Sequence, residues 1–322
     1  MEPGFIEYIG ERVAIVSHHN ADPDAIGSAQ GVKELIERLK TKSKVSIVMP
    51  ADISKLSMRL ISQLGLDVDK TSIDSFDTVV IVDSGNMNQL GSWEKKINEG
   101  EYVVVLIDHH ISNEAMQKRV DLLIHDDNVT STSELVYRLF QDYQLDPSEV
   151  TSKALLAGIS FDSKYFSIGK HETFNTAAML LKQIGDISEI RNLLIAESVP
   201  SERIARIKAA QRAEIIQIHG WIIAFSNISS FNASGARGLV SLGADLAVVI
   251  CFEKDDFRAS LRSTQRFYDE TGIHLGELVS ELSHHLSGSG NGHPTAAGFN
   301  GVGSATDLKN TLVASLKGKL GE

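Results

Sequence analysis

The chain of 322 residues carries a single cysteine, Cys251. No internal disulfide can form, and a reducing, cytoplasmic compartment is the expected setting. Basic residues are short as well: 31 Lys and Arg stand against 42 Asp and Glu, a formal net charge of −11. Proteins that grip long nucleic acid over a broad surface usually carry the opposite sign, because neutralised phosphates supply most of the affinity. The deficit argues against a wide nucleic-acid footprint, but not against a small phosphorylated ligand or a short oligonucleotide at a local site. Long apolar runs are missing too. The longest, such as VVIV at 79–82 and VVVLI at 103–107, have strand length rather than the ~20 residues that span a bilayer. The start, MEPGFIEYIGERVAIV, is acidic where a signal peptide is positive, so no membrane partner is expected. Neither a Gly/Ser-rich linker nor an internal repeat is visible.

What is present is an ordinary globular composition, 42% apolar and 23% charged, over a length of about two domains. In the first half, short β-branched runs alternate with helical patterns. Val13–Val16, Val45–Met49, Thr78–Val82 and Tyr102–Ile107 read as strands; Ala25–Lys40 and residues 131–143 read as helices, the latter with Ser131 and Glu134 in capping-box spacing. Strands interleaved with helices imply right-handed crossovers and an open parallel sheet flanked by helices. From Asp186 to Gln217 the pattern is helical and charged, with Arg203, Arg206, Lys208 and Arg212. Strands are expected again at Trp221–Phe225, Leu246–Phe252 and Phe257–Leu261, with a helix near His274–Leu286 and a glycine-rich loop after it. The expected organisation is a catalytic domain at 1–185, a helical connector at 186–217 and a smaller α/β domain at 218–322.

The informative feature is where acids and histidines fall. SHHNADPDAIGS places His18, Asp22 and Asp24 after the first strand; VVIVDSGN places Asp83 after a central one. VVVLIDHH ends in Asp108, His109 and His110, and AGISFDSKYF places Asp162 after a further apolar segment taken as another strand end. Ligands of open α/β sheets bind outside the carboxyl ends of the strands. Each piece alone has a bland reading: Asp22-Pro23-Asp24 as a turn with a helix cap, Asp83 as a turn residue. The His284-His285 pair reads as a chance neighbour pair, and His125, His171, His219 and His274 as ordinary surface or core residues. Four such segments converging on one edge would repel one another unless cations sat among them. The donors His18, Asp22, Asp24, Asp83, His109 and Asp162 suffice for two ions. Nitrogen and oxygen ligands without thiolate suit Mn²⁺, and less specifically Mg²⁺, Co²⁺ or Zn²⁺.

These motifs, HNADPDAIGSA, VDSGN, DHH and GISFD, resemble the four motifs of the DHH phosphoesterase superfamily, and GSGNGHPTAAGF resembles the glycine-rich motif of its DHHA1 domain. The resemblance covers both halves in order. It implies one metal held by His18, Asp22 and Asp83, a second held by Asp24, Asp83, His109 and Asp162, and Asp83 bridging them. His18 rather than His19 matches the family spacing. The resemblance further implies that His110 faces the phosphate, with Asp108 as its partner, and that two divalent ions activate a water for attack on phosphorus. In FRASLRS, Arg258, Ser260 and Arg262 alternate with apolar residues, so one face is polar and is expected to look into a cleft between the domains. Arg262 matches the family's phosphate-binding arginine. Gly288, Gly290 and Gly292 are expected to bring backbone N–H groups close to a phosphate, with His293 adding a donor. Two departures stand out: Asn291 where the motif often has glycine, and DSKYF after Asp162 where a DTG-type continuation is commoner.

The closest branch by resemblance is the short-RNA nucleases that also act on 3′-phosphoadenosine 5′-phosphate (pAp). It implies a manganese-dependent enzyme taking very short RNA from the 5′ end, and a homodimer. Alternatives are a RecJ-like exonuclease on longer single strands, a cyclic or linear dinucleotide phosphodiesterase, and a non-catalytic nucleotide sensor or assembly partner. A family II inorganic pyrophosphatase shares the first-domain ligands but not the arginine and glycine-rich signature.

Overall fold

The structure, a computed structural model, describes residues 4–49, 52–69, 72–110, 114–195, 199–253, 256–283 and 286–321. It divides into two compact units, Met1–Ala196 and Glu197–Glu322. The His284-His285 pair lies outside the described residues.

In the first unit the chain runs β1 (Arg12–Val16), α1 (Pro23–Leu39), β2 (Lys44–Val48), α2 (Lys55–Leu64), β3 (Val68–Asp69), β4 (Thr78–Val82), α3 (Trp93–Glu99), β5 (Val103–Asp108), α4 (Glu114–Arg119) and β6 (Leu122–His125). Four helices follow: α5 (Thr132–Asp142), α6 (Glu149–Asp162), α7 (His171–Ile184) and α8 (Ile187–Leu194). The six strands pair in parallel in the order β3-β2-β1-β4-β5-β6. The chain steps outward from β1 in one direction, then returns to begin β4 on its other side, so β1 and β4 flank the topological switch point. Every residue of β4 is buried, as expected where helices cover both faces. Val13, Ile15, Val80, Val82, Val105 and Ile107 face α1, α5 and α6; Ala14, Val16, Val79, Ile81, Val104 and Leu106 face α3.

One expectation fails here. The apolar segment before Asp162 is not a strand but the end of α6. Residues 154–160 are buried all round the helix, so no polar face interrupts the run and its periodicity is lost.

The second unit contains α9 (Pro200–Gln211), β7 (Glu214–Ile218), β8 (Trp221–Asn227), α10 (Asn232–Ser241), β9 (Leu246–Glu253), β10 (Asp256–Ser263), α11 (Gln265–Thr271), α12 (Leu275–Leu282), β11 (Gly288–His293), β12 (Ala296–Val302) and α13 (Ala305–Leu320). Its mixed sheet has the order β11-β12-β10-β9-β8-β7, with only β8 and β9 parallel. Phe257, Ala259 and Leu261 pack with α12 and α13; Ala247 and Val249 pack on the other face with α9 and α10. Residues 186–217 are shared between the units. Ile190, Leu193 and Leu194 of α8 enter the first core, Ala205 and Ala209 of α9 enter the second, and β7 is an edge strand.

The glycine-rich segment also differs from expectation. It is the edge strand β11, paired antiparallel with β12, rather than an open loop. Its glycines are closely packed: a Cβ on Gly290 would sit 2.8 Å from Val279 Cβ of α12, and one on Gly292 2.4 Å from the Ala296 carbonyl oxygen of β12. The spacing of glycines follows from helix and strand packing at backbone distance, and the polar residues Ser289, Asn291 and His293 face the other way. Among the described residues no helix is long and apolar enough to cross a membrane.

Candidate metal centre

The centre is built at the carboxyl ends of β1, β4 and β5, beside the switch point. The segment after β1 turns into α1 with Asp22 as N-cap, its Oδ1 accepting from the amides of Asp24 (2.9 Å) and Ala25 (3.1 Å). Pro23 occupies the first helical turn, where a missing N–H costs nothing. The bland reading of Asp22 as a cap is thus true of one oxygen and leaves the other for a ligand. Asp83 directly follows β4 with φ +55°, a left-handed conformation that Asp tolerates better than most residues. Its amide donates to the Ile107 carbonyl at 3.0 Å, which ties the turn to β5.

The donors predicted from sequence come together. Ligand atoms of Asp24, Asp83, His109 and Asp162 lie within 4.8 Å of one another, and so do those of His18, Asp22 and Asp83. Asp83 belongs to both groups. His18 Nε2 is 3.8 Å from Asp83 Oδ2; His109 Nε2 is 3.7 Å from Asp83 Oδ1 and 3.2 Å from Asp162 Oδ2. Asp162 reaches the group from the C-terminal end of α6, not from the sheet. His19 turns away, its Nδ1 against the Gln89 carbonyl at 3.1 Å. His110 lies 3.5 Å from Asp83 through Nδ1 and is hydrogen-bonded by the same atom to Asp108 Oδ1 at 2.9 Å; Asp108 is fully buried. A pocket opens over His18, Asp22, Asp83, His110 and Asp162, completed by Gly85, Asn86 and Gln89.

Two features of the centre were not legible from spacing. The first turn of α5 grips two of the acids. Thr132 N donates to Asp24 Oδ2 (2.7 Å), Ser133 N donates to Asp24 Oδ1 (3.0 Å), and Thr132 Oγ1 donates to Asp83 Oδ1 (2.9 Å). Orphan amides at a helix N-terminus favour a carboxylate, so α5 fixes Asp24 while its own cap, Ser131, serves Glu134 N. The STSE signature announces a helix start; that its amides meet an acid 108 residues earlier is a tertiary fact. The second feature is Gly158 on α6, whose missing side chain makes room for Asp24: a Cβ there would lie 2.7 Å from Asp24 Oδ1.

The residues fit divalent cations. His109 Nε2 is buried without a hydrogen-bond partner, aimed among carboxylates, and the donors are nitrogen and oxygen only. Cys251 takes no part; its Sγ–H donates to the Ser229 carbonyl. Burial, followed by repulsion from Asp162 and Asp22, pushes Asp24 up to about 7. Burial and the charges of Asp24, Asp22 and Asp162 hold Asp83 well above the ordinary carboxylate range, and burial and Asp162 raise Asp22. The hydrogen bond to Asp108 raises His110. Packed acids with raised affinities for protons form a concentration of negative charge that divalent cations would neutralise.

This arrangement has a pH signature. Asp24 in the unfolded chain ionises near 3.8 and in the folded chain near 7. The stability supplied by its protonated form is therefore complete below about 3.8 and lost as pH rises through about 7. His110, also raised, acts with the same sign. In chelator, the melting temperature is expected to be higher at pH 6 than at pH 8; saturating Mn²⁺ should abolish or invert that difference. Equal melting temperatures at both pH values in chelator would contradict the electrostatic account.

A model of the DHH family N-terminal domain matches residues 12–159, and a model of the DHHA1 domain matches residues 236–321. The uncharacterized protein MJ0988 of Methanocaldococcus jannaschii is 35% identical over 310 residues, 96% of this chain and 93% of its own. The chain belongs to the DHH family. It is a metal-dependent phosphoesterase, the buried His/Asp cluster is consistent with a divalent metal site, and the family implies a nucleotide or nucleic-acid substrate. The cyclic-di-AMP phosphodiesterase GdpP of Geobacillus thermodenitrificans is 29% identical over 227 residues, 66% of this chain but 34% of that protein. The probable bifunctional oligoribonuclease and PAP phosphatase NrnA of Streptococcus mutans is 26% identical over 322 residues, 94% of this chain and 95% of its own.

Proposed function

We propose that this phosphoesterase hydrolyses short oligoribonucleotides from the 5′ end to mononucleotides, and pAp to AMP, with two Mn²⁺ ions as cofactors. The observation that carries the reading is the pair of donor groups sharing Asp83, in a chain whose similarity to NrnA extends through both units. Bound ions would lower the pKa of a shared water and neutralise charge gathering on the phosphate. His18, Asp22 and Asp83 would hold one ion; Asp24, Asp83, His109 and Asp162 the other. Thr132 and Ser133 keep Asp83 and Asp24 in place. Asp108 orients His110 and favours its protonated form, so His110 meets the phosphate as a cationic donor. In the second unit Arg262, Ser260 and His293 hold the remainder of the substrate, Arg258 lies further along the same face, and Gly290 and Gly292 keep β11 in place beneath it.

The similarity to GdpP supports a second reading, in which linear or cyclic dinucleotides are the preferred substrates. A length profile in Mn²⁺ separates them. On 5′-phosphorylated RNA and DNA of two to about 24 nucleotides, with pAp and a cyclic dinucleotide in parallel, rates should peak at two to five nucleotides of RNA and collapse beyond, within the ~10³-fold span of common turnover numbers. Rates that hold on long single strands would replace the proposal with a RecJ-like exonuclease. Turnover confined to dinucleotides would favour the second reading.

A further inference from the structure

Beyond Asp83 the chain makes a single 3₁₀ turn, Met87–Leu90. Met87 and Leu90 are buried in the core on the α3 side, which pins the turn through its apolar residues. Half-buried Asn86 and exposed Gln89 line the pocket over the His/Asp cluster. The other side chains around that pocket are metal-ligand candidates and His110, so these two carboxamides are its uncharged polar wall. The backbone behind them is tied down. The Gln89 carbonyl accepts from His19 N at 2.8 Å and lies 3.1 Å from His19 Nδ1, which is what turns His19 from the cluster. The Asn86 carbonyl accepts from the Gln89 amide at 3.0 Å and from Ser84 Oγ at 3.3 Å.

Hydrogen bonding also fixes what each carboxamide has left to offer. Asn86 Oδ1 accepts from the Asn88 amide at 3.1 Å. A backbone N–H can only donate, so the oxygen lies on that side and the NH₂ group on the other. Gln89 Oε1 accepts from Ser84 Oγ at 3.3 Å. Asn86 Nδ2 and Gln89 Nε2 have no partner among the described residues. With both oxygens engaged, the wall presents donors alone. Donors alone suit a group that only accepts, as a phosphate oxygen does, whereas reading a base edge takes a paired donor and acceptor. Neutrality matters as well. A lysine or arginine on this wall would be drawn to Asp22 and Asp83 and oppose the cations there; an amide donates to phosphate without that competition.

We infer that Asn86 and Gln89 contact the substrate, their amide groups donating hydrogen bonds to a non-bridging oxygen of the phosphate under attack. The contact rests on the proposed function only in requiring that a phosphate ester is turned over at this pocket; it does not depend on which nucleotide carries it.

The test compares the natural full chain with Asn86→Ala, Asn86→Asp and Gln89→Met. Calorimetry measures the binding of inorganic phosphate in saturating Mn²⁺ and, separately, of Mn²⁺ without phosphate; kcat/KM is measured on bis(p-nitrophenyl) phosphate. Asn86→Ala should bind phosphate roughly 10- to 100-fold more weakly, the range for a hydrogen bond to a charged group, and lose kcat/KM by a similar factor. Gln89→Met should change in the same direction, and Mn²⁺ affinity should hold in both. Asn86→Asp discriminates between a contact and a mere turn residue. It keeps an acceptor for the Asn88 amide but has no donor, so it should bind phosphate no better than Asn86→Ala. Natural phosphate binding in Asn86→Asp overturns the inference, because the turn alone would then account for Asn86. Unchanged phosphate binding in both Asn86→Ala and Gln89→Met overturns it too, as does an equal loss of Mn²⁺ affinity or undetectable phosphate binding by the natural protein. Should the natural protein hydrolyse neither short RNA nor pAp yet show the expected pattern with these probes, the proposed substrate falls while the contact stands.

Discussion

Asp83→Asn is expected to lower phosphodiester hydrolysis by at least ~10³-fold, the scale seen when a group acting on the transition state is removed. The same variant should melt higher than the natural protein in chelator. Asn tolerates the left-handed φ of +55° at this position, and its carbonyl oxygen can still accept from Thr132 Oγ1, which donates at 2.9 Å to Asp83. What the substitution removes is a buried charge facing Asp24, Asp22 and Asp162. Relieving it should raise stability by ~1 kcal/mol or more near pH 8, about 2–4 °C for a unit of this size. The opposed readouts matter, because a variant that was merely misfolded would lose both activity and stability. Near-normal turnover in Asp83→Asn would remove it from the shared position between the two donor groups.

Gly158→Ala is expected to damage the centre without replacing any of its metal-ligand candidates. Two terms oppose each other. Alanine favours the interior of α6 over glycine by ~1 kcal/mol. Against this, the added Cβ would lie 2.4 Å from Ser133 Oγ, 2.7 Å from Asp24 Oδ1 and 2.9 Å from Asp24 Cα. The backbone contact cannot be relieved by a rotamer change, and overpacking of this kind costs ~1–3 kcal/mol. The clash should win, giving a lower melting temperature. Asp24 must move from the α5 amides, so Mn²⁺ affinity should fall roughly 10- to 100-fold, as when a ligand's supporting contacts are lost. Gly318→Ala in α13 is the control, since a Cβ there meets nothing within 4 Å and only the helix preference should register. Gly158→Ala and Gly318→Ala behaving alike would show that α6 does not approach Asp24 so closely.

The parts of the fold that were legible in the sequence are those decided locally. The buried runs at 78–82 and 103–107 read as parallel strands because a strand covered on both faces must be apolar throughout. Acids and histidines directly after them could be placed at one sheet edge because parallel strands all end on the same side. The helix after Asp22 announced itself by its cap and Pro23. The segment before Asp162 misled for a definable reason: a helix buried on every side has the same apolar signature as a buried strand. The glycines of β11 misled differently. Gly-x-Gly-x-Gly is compatible with a loop over a phosphate or a strand beneath a helix, and only the passage of α12 at backbone distance selects the second.

By itself, then, the sequence determined that this chain carries a parallel sheet, an acid and histidine cluster at its carboxyl edge, and a second α/β unit, since each follows from a period, a cap or a strand end. Tertiary structure decided what holds those residues in place. It alone places the amides of Thr132 and Ser133 against Asp24 and clears space for that acid at Gly158. The physical reason is the range of the interactions. Caps and periodicity act over a few residues, whereas a helix N-terminus, a missing Cβ or an unpaired charge has meaning only beside the group that folding brings to it.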